Sequence, residues 1–321
     1  MSISGIERVT FGVEDIDLCR RFFTDFGLRL VREGADGADF ETLNGCEVQL
    51  RRIDDPSLPA PIEPGSTVRE VIWSAENAED LETCRRVFSS AQNFREADGT
   101  VYCTDPNGVG IGARLTKKRD VPLATGLTNT FDKALRVDMP SPSYERAEPV
   151  EVGHVVFFTP NLAETTAFYE KLGFCLSDRY PGRGAFMRTA ARGGHHDVFL
   201  LQTPEGRHGL NHVAFAVRDL HEVFGGGMNM SRKGWSTQLG PGKHPVSSAI
   251  FWYFQSPAGA LVEYYTDEDV LTEAWTPRDF EPGPTVFAEW AIAGGIDGVT
   301  RRQAVAPPAA GGKGFITERR D

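Results

Sequence analysis

The chain has 321 residues, 40% of them hydrophobic and 25% charged, with a net charge of -11. That is enough for two soluble domains with sizeable cores, and the negative balance argues against nucleic acid or an anionic membrane as partner. No apolar stretch is long enough to span a bilayer, and the opening MSISGIERVTFGVEDID lacks the basic start and apolar block of an export signal. The five cysteines (Cys19, Cys46, Cys84, Cys103, Cys175) are odd in number and show no CxxC pairing. They read as reduced thiols of a cytoplasmic protein, with no disulfide framework and no zinc knuckle.

From the start of the chain, RVTFGVEDIDLCRRFFTDFGLRLV reads as an alternating strand, a turn, an amphipathic helix and a Gly stop. STVREVIWSAENAEDLE repeats the strand–helix pattern, and YCTDPNGVGIGARL reads as a hairpin whose Asp-Pro-Asn-Gly turn feeds a last strand. Residues 117–147 lose periodicity and gather Pro, Ser and Lys, the composition of a linker with room for one short helix. From His154 the first pattern returns as HVVFFTPNLAETTAFYEKLGFCLS, with Phe23 aligned on Tyr169 and Gly27 on Gly173 without a gap. Asn161 and Glu164 stand at the spacing of a capping box, and both glycines suit a left-handed helix end. GLNHVAFAVRDLHEV and YFQSPAGALVEYYT then complete a second copy of the unit.

The expected organisation is therefore one unit at 1–116, the linker at 117–147, a second unit at 148–276, and a Pro/Gly-rich tail at 277–321. In the tail, Phe287 and Trp290 are expected to pack on the body and the final stretch to be loose.

All seven histidines lie in the second copy. His154 falls on its first strand, His212 on the strand that opens its second part, and Glu263 on its last strand. Taken singly, either imidazole could be a core histidine bonded to a backbone carbonyl, and Glu263 could sit on the solvent face of an edge strand. Alternation puts Glu263 on the face of Leu261 in a strand otherwise suited to burial, where a lone carboxylate is expensive. Two imidazoles and a carboxylate converging on one face form the facial triad that holds non-haem Fe(II) with positions left open. The same alignment places Arg8, Glu70 and Gly112 in the first copy, which cannot bind a divalent metal together. Arg8 and Glu70 are expected to pair as ions across the vacated cavity. In GGHHDVFLLQ, only one of His195 and His196 can look into a shared cavity, because successive strand side chains point to opposite faces. Periodicity does not choose between them, and two solvated histidines in a Gly-rich turn remain the plain reading of an isolated pair.

With these residues in place, the sequence resembles the two-domain, type I extradiol ring-cleavage dioxygenases of the vicinal oxygen chelate superfamily. Its pattern is nearest to the dihydroxybiphenyl and catechol 2,3-dioxygenases. The resemblance runs to about Thr276 and is most specific in GKHPVSSAIFWYFQSPAGALVEYY, where His244, Tyr253 and Glu263 keep the family's order and separations. It implies an α+β fold of two tandem glyoxalase/dioxygenase-type domains. Each would contain paired βαβββ modules forming a curved, barrel-like sheet around a cavity. It also implies metal ligands His154, His212 and Glu263, with His196 as the acid–base residue that faces the iron and His195 facing elsewhere.

The implied activity is extradiol (meta) cleavage of a catechol by O2 in aromatic catabolism, giving a muconic-semialdehyde-type product, with Fe(II) as cofactor and Mn(II) the second choice. His196 would take a proton from the diol and return it, while Tyr253 and His244 would serve the substrate oxygen nearest the metal. The partners implied are a small aromatic diol, O2 and further copies of the chain in a homo-oligomer. Two features depart from the family: PVSS follows His244 in place of a polar run ending in an acid, and Phe199 is bulky where a small residue is usual. A cavity wall of Phe186, Phe199, Phe251 and tail residues is expected, suiting an apolar or aryl substituent. His208 and His221 match nothing in the motif and are expected at the surface. The runner-up readings are a 4-hydroxyphenylpyruvate-type dioxygenase, a glyoxalase or thiol transferase, and a non-catalytic aromatic-binding protein.

Overall fold

The computed structural model describes residues 3–295, so the last stretch of the tail, from residue 296, lies outside the described residues. The first module begins with β1 (Ile3–Val13) and α1 (Ile16–Asp25), whose first turn is capped by Asp15 accepting the Leu18 N–H at 2.9 Å. Gly27, at φ +98°, ends the helix and lies so close to the Ala147 carbonyl that a Cβ would stand 2.0 Å from its oxygen. Strands β2 (Arg29–Gly34), β3 (Gly37–Glu41) and β4 (Glu47–Arg52) complete the module. The second module repeats it as β5 (Thr67–Ala75), α2 (Ala78–Phe88), β6 (Gln92–Ala97), β7 (Thr100–Thr104) and β8 (Gly110–Leu115). Together they form one eight-stranded sheet in the order β2-β3-β4-β1-β5-β8-β7-β6.

The second half follows the same plan. One module is β9 (Glu151–Phe158), α3 (Leu162–Lys171), β10 (Cys175–Tyr180), β11 (Gly184–Arg188) and β12 (Val198–Leu201). The other is β13 (Gly209–Ala216), α4 (Leu220–Arg232), β14 (Thr237–Lys243), β15 (Ile250–Gln255) and β16 (Leu261–Thr266). Its sheet runs β10-β11-β12-β9-β13-β16-β15-β14, the order of the first half. The tail extends both edges: β17 (Arg278–Asp279) pairs with β10, and β18 (Trp290–Ala293) pairs with β14, with the single turn α5 (Pro284–Phe287) between them. Covering sheet edges in this way removes unpaired backbone groups. The α+β architecture of two tandem glyoxalase-type domains, each of paired βαβββ modules, is the one expected.

Register confirms the internal alignment residue by residue. Arg8 pairs with Ile72, and Glu70 with Gly110, in the first sheet. His154 pairs with Ala214, and His212 with Leu261, in the second. One apolar core runs through both halves, from Phe22, Phe26 and Trp73 to Tyr169, Phe215 and Tyr264. Its seam is fastened by the Tyr264 hydroxyl donating to the Phe26 carbonyl at 2.6 Å.

Two local expectations fail. The helix expected in the linker does not form: from Thr116 to Val150 the chain has neither helix nor strand. Asn129 instead closes a turn by accepting the Arg136 N–H at 2.6 Å, a side-chain bond that competes with helix. Asn161 does occupy the start of α3, but its side chain caps nothing. The Asn161 N–H donates to the Thr159 hydroxyl at 3.1 Å.

Candidate active site

A row of residues crosses the second sheet on one face. His154 on β9 stands opposite Ala214 on β13, Ala214 opposite Glu263 on β16, and Glu263 opposite Tyr253 on β15. Ala214 has only a methyl group, which leaves a gap in the row between the imidazole and the carboxylate. His212, two residues along the same strand and so on the same face, closes that gap from the side. The three expected ligands therefore meet. His154 Nε2 and His212 Nε2 are 3.2 Å apart, and Glu263 Oε2 lies 3.3 Å from the first and 3.2 Å from the second.

Protein groups alone do not satisfy this triangle. Glu263 is 1% exposed, yet its Oε2 has no hydrogen-bond partner. Burial followed by the charge of neighbouring His196 pushes His154 down to about 3, and burial likewise lowers His212. For Glu263 burial acts upward, but His154, His212 and His244 outweigh it and hold the carboxylate well below its ordinary value. Two neutral imidazoles and one carboxylate thus present lone pairs to a common point with a net negative charge. Donors about 2.1 Å from a single ion stand about 3.0 Å apart at right angles and about 3.4 Å apart in a tetrahedron. The observed edges lie between those values, so the set fits a divalent metal. His212 is oriented from behind by Asn211, whose Oδ1 is 2.7 Å from its Nδ1, the kind of outer partner that fixes a ligand's tautomer.

The other expected residues line the same cavity of about 280 Å³. His244 Nδ1 lies 2.6 Å from the Phe287 carbonyl, so it carries the hydrogen, and Nε2 accepts from the Tyr253 hydroxyl at 3.1 Å. Burial, then Glu263, keeps Tyr253 well above its ordinary value and therefore protonated. His196 stacks on His154, with centroids 4.2 Å apart. His195 turns away into the protein, its Nε2 2.9 Å from Asp178 Oδ2. Neither is a solvated turn histidine: His195 is 0% and His196 9% exposed. The bulk of Phe199 is absorbed by parallel stacking on Phe186 at 3.8 Å.

One wall residue is misplaced by the sequence reading. Phe251 is fully buried behind His244, whose ring stacks on it at 4.1 Å and separates it from the cavity. The tail does contribute, through Pro282, Gly283, Val286 and Phe287. Sequence reasoning missed Glu268, whose Oε1 is 3.3 Å from His196 Nδ1, and Asp178. The signal for Asp178 was an acid in a strand bounded by apolar positions. The surface expectation holds for His208, which is exposed with Nε2 2.6 Å from the Asn107 carbonyl; His221 is half-buried at the start of α4.

In the first half the equivalent row is Arg8, Ile72, Gly112 and Tyr102. Arg8 Nη2 reaches Glu70 Oε2 at 2.9 Å, the expected ion pair. Ile72 occupies the gap that Ala214 leaves open, for a Cβ at Gly112 would stand 2.6 Å from its Cδ1.

Among the described residues no helix is long and apolar enough to cross a membrane. Residues 151–264 match the model of the Glyoxalase/Bleomycin resistance protein/Dioxygenase superfamily. A stretch of 149 residues is 32% identical to metapyrocatechase 2 of Cupriavidus necator, covering 46% of this chain and 46% of that protein. The match thus spans about half the length of the curated relative. Among solved structures, the Mn(II)-bound glyoxalase from Novosphingobium aromaticivorans is 23% identical, with a TM-score of 0.71, covering 91% of this chain and 92% of that one. Homoprotocatechuate 2,3-dioxygenase from Arthrobacter globiformis is 20% identical, with a TM-score of 0.68, covering 90% and 88%. At these identities the two structures establish the fold across both halves. The family model thus covers most of the second half, and the first half repeats that half's strand order.

Proposed function

We propose that the second half catalyses extradiol (meta) cleavage of a catechol-type ring by O2 at a non-haem Fe(II) centre, giving a muconic-semialdehyde-type product. The observation that carries the proposal is the convergence of three metal donor atoms with His196, His244 and Tyr253 in one cavity. His154, His212 and Glu263 would hold the ion, and Mn(II) is the second choice for the same donors. When bound, the metal supplies the redox chemistry by which dioxygen reacts with the ring.

The side chains supply orientation and protons. His196 takes a proton from a catechol hydroxyl and later returns it. The Tyr253 hydroxyl, resting on His244 Nε2, can turn to donate to a substrate oxygen while His244 stays fixed by Phe287. Val156, Tyr180, Phe186, Phe199, Leu201 and Val246 keep water from the ring. The described cavity wall carries no Lys or Arg, which favours an uncharged diol with an apolar substituent over a carboxylated one. Its volume is close to the lower bound of small-molecule pockets, about 300 Å³, and favours a single ring over a biaryl. All five cysteines are free, four of them buried, which supports a reducing, cytoplasmic location.

The test is oxygen consumption by anaerobically purified, Fe(II)-loaded protein given catechols of graded substituent size. Uptake of one O2 per catechol with a yellow product is the expected result, strongest for small alkyl groups. Catechol binding without oxygen uptake would make the protein a binder. Turnover of a hemithioacetal without colour would make it a glyoxalase.

A further inference from the structure

We infer that His195 is a positioning residue which, held by Asp178 and the tail residue Arg278, fixes the hydrogen of His196 on Nδ1 and leaves Nε2 as its proton acceptor. The inference rests on the proposal that His196 takes the substrate's proton. It gives the first histidine of the pair a task that ligation and acid–base chemistry leave unassigned.

The relay begins at the sheet edge. β17 brings Arg278 beside Asp178 on β10. The Arg278 backbone N–H donates to Asp178 Oδ1 at 2.7 Å, and its Nη2 donates to Oδ2 at 2.6 Å. Asp178 is 0% exposed and so anchored from one side by a fixed cation. Its Oδ2 also faces His195 Nε2 at 2.9 Å. A carboxylate oxygen only accepts, so Nε2 of His195 carries the hydrogen. Burial holds His195 below the usual histidine range despite the neighbouring carboxylate, so the ring is neutral and its Nδ1 is a bare lone pair.

That lone pair faces His196 Nδ1 at 3.2 Å. Unlike the lone pairs of the triad, which a cation would hold together, these two face each other with no third donor among the described residues to share an ion, so His196 Nδ1 must carry the hydrogen. A second acceptor asks for the same placement: Glu268 Oε1 lies 3.3 Å from His196 Nδ1 and also receives the His196 backbone N–H at 3.4 Å. Gly194 makes this approach possible, because a Cβ there would stand 2.4 Å from Glu268 Oε2. The loop is held further along by Asp197, whose Oδ2 accepts the Thr189 N–H at 2.7 Å. Imidazole in water exchanges between its two tautomers, and only the form with a bare Nε2 can accept at that nitrogen. A third group that fixes tautomer and ring orientation is a recurring requirement of acid–base histidines.

The test uses the full-length chain labelled with 15N-histidine and loaded with diamagnetic Zn(II). Long-range 1H–15N correlations at pH 8 report which ring nitrogen carries hydrogen, and His195→Gln and His196→Gln assign the signals. The expected result is His195 protonated at Nε2 alone and His196 at Nδ1 alone. Any hydrogen on His196 Nε2, alone or in a mixture, overturns the inference. In the Fe(II)-loaded enzyme, His195→Leu should lower kcat by about ten- to a hundredfold, with KM within about twofold and metal content unchanged. An unchanged kcat, or a loss confined to KM, overturns the positioning role. Absence of ring cleavage in the wild-type protein would defeat the proposed function but leave the tautomer measurement intact, so the two failures are distinguishable.

Discussion

The two halves share strand order and register, yet one gathers three metal-donor atoms at one point where the other fills the equivalent place with its own charges and bulk. In the second half, the small Ala214 between His154 and Glu263 leaves lone pairs facing one another. In the first, Ile72 fills that gap, Gly112 stands where the carboxylate would be, and Arg8 neutralises Glu70. The fold holds with or without the metal donors. A metal centre therefore depends on what the row across the sheet leaves unsatisfied as well as on which ligands it carries.

The largest expected effect comes from removing a donor. His212→Ala should lower metal affinity more than about 100-fold, beyond what outer-partner changes cost, with the circular dichroism spectrum preserved. Elemental analysis showing a full metal complement would overturn the ligand assignment. Ala214→Ile fills the gap in the second half's row as Ile72 fills it in the first. It should also expel the metal, at a packing cost of about 1 to 3 kcal/mol, while leaving His154, His212 and Glu263 intact. Full occupancy in this variant would show that the gap is not what distinguishes the halves. His196→Phe should keep the metal and lose about 10²- to 10⁴-fold in turnover, read by comparing metal content with initial rate.

Legibility of the sequence followed the range of the interactions. The duplication, the convergence of His154, His212 and Glu263, and the Arg8–Glu70 pair were readable because each rests on alternation within a strand or on aligning one copy with the other. The choice of His196 over His195 needed family resemblance, since both are buried and only long-range partners separate them. Glu268 and Arg278 were not readable, and Asp178 showed only as an acid among apolar strand positions without its partners, because the loop and tail bring these residues together from distant positions. Phe251 shares a strand face with Tyr253, so alternation placed it at the cavity. Alternation cannot say that His244 would lie across it.

A smaller effect is expected from the Arg8–Glu70 pair, which stands in the first half where His154 and His212 stand in the second. Arg8→Met leaves Glu70, 6% exposed, with only the more distant Arg95 at 3.4 Å. It should destabilise the protein by roughly 2 to 3 kcal/mol in urea unfolding. Arg8→Met with Glu70→Leu should recover most of that loss, because the buried charge goes with its partner. Failure of the double variant to recover would mean that Arg8 acts through packing and not by neutralising Glu70.

The smallest effect concerns the turns that precede the last strand of each half, where Asp105 in the first corresponds to Ser256 in the second. Asp105 is buried, with the Val109 N–H donating to Oδ1 at 2.9 Å and the Tyr169 hydroxyl to Oδ2 at 3.1 Å. Burial outweighs these bonds and raises the carboxyl from 3.8 to about 7. The folded chain therefore holds this proton more tightly than the unfolded chain. Its contribution to stability is full below about pH 4, falls as pH rises towards 7, and is flat above. Between pH 5 and pH 8 this one group should remove about 1 to 3 kcal/mol. Asp105→Asn can accept from Val109 and donate to the Tyr169 oxygen without titrating, so its urea midpoint should change less than the wild-type midpoint over that interval. Equal changes in the two proteins would mean that Asp105 is ionised throughout and that its hydrogen bonds, not its burial, decide its charge.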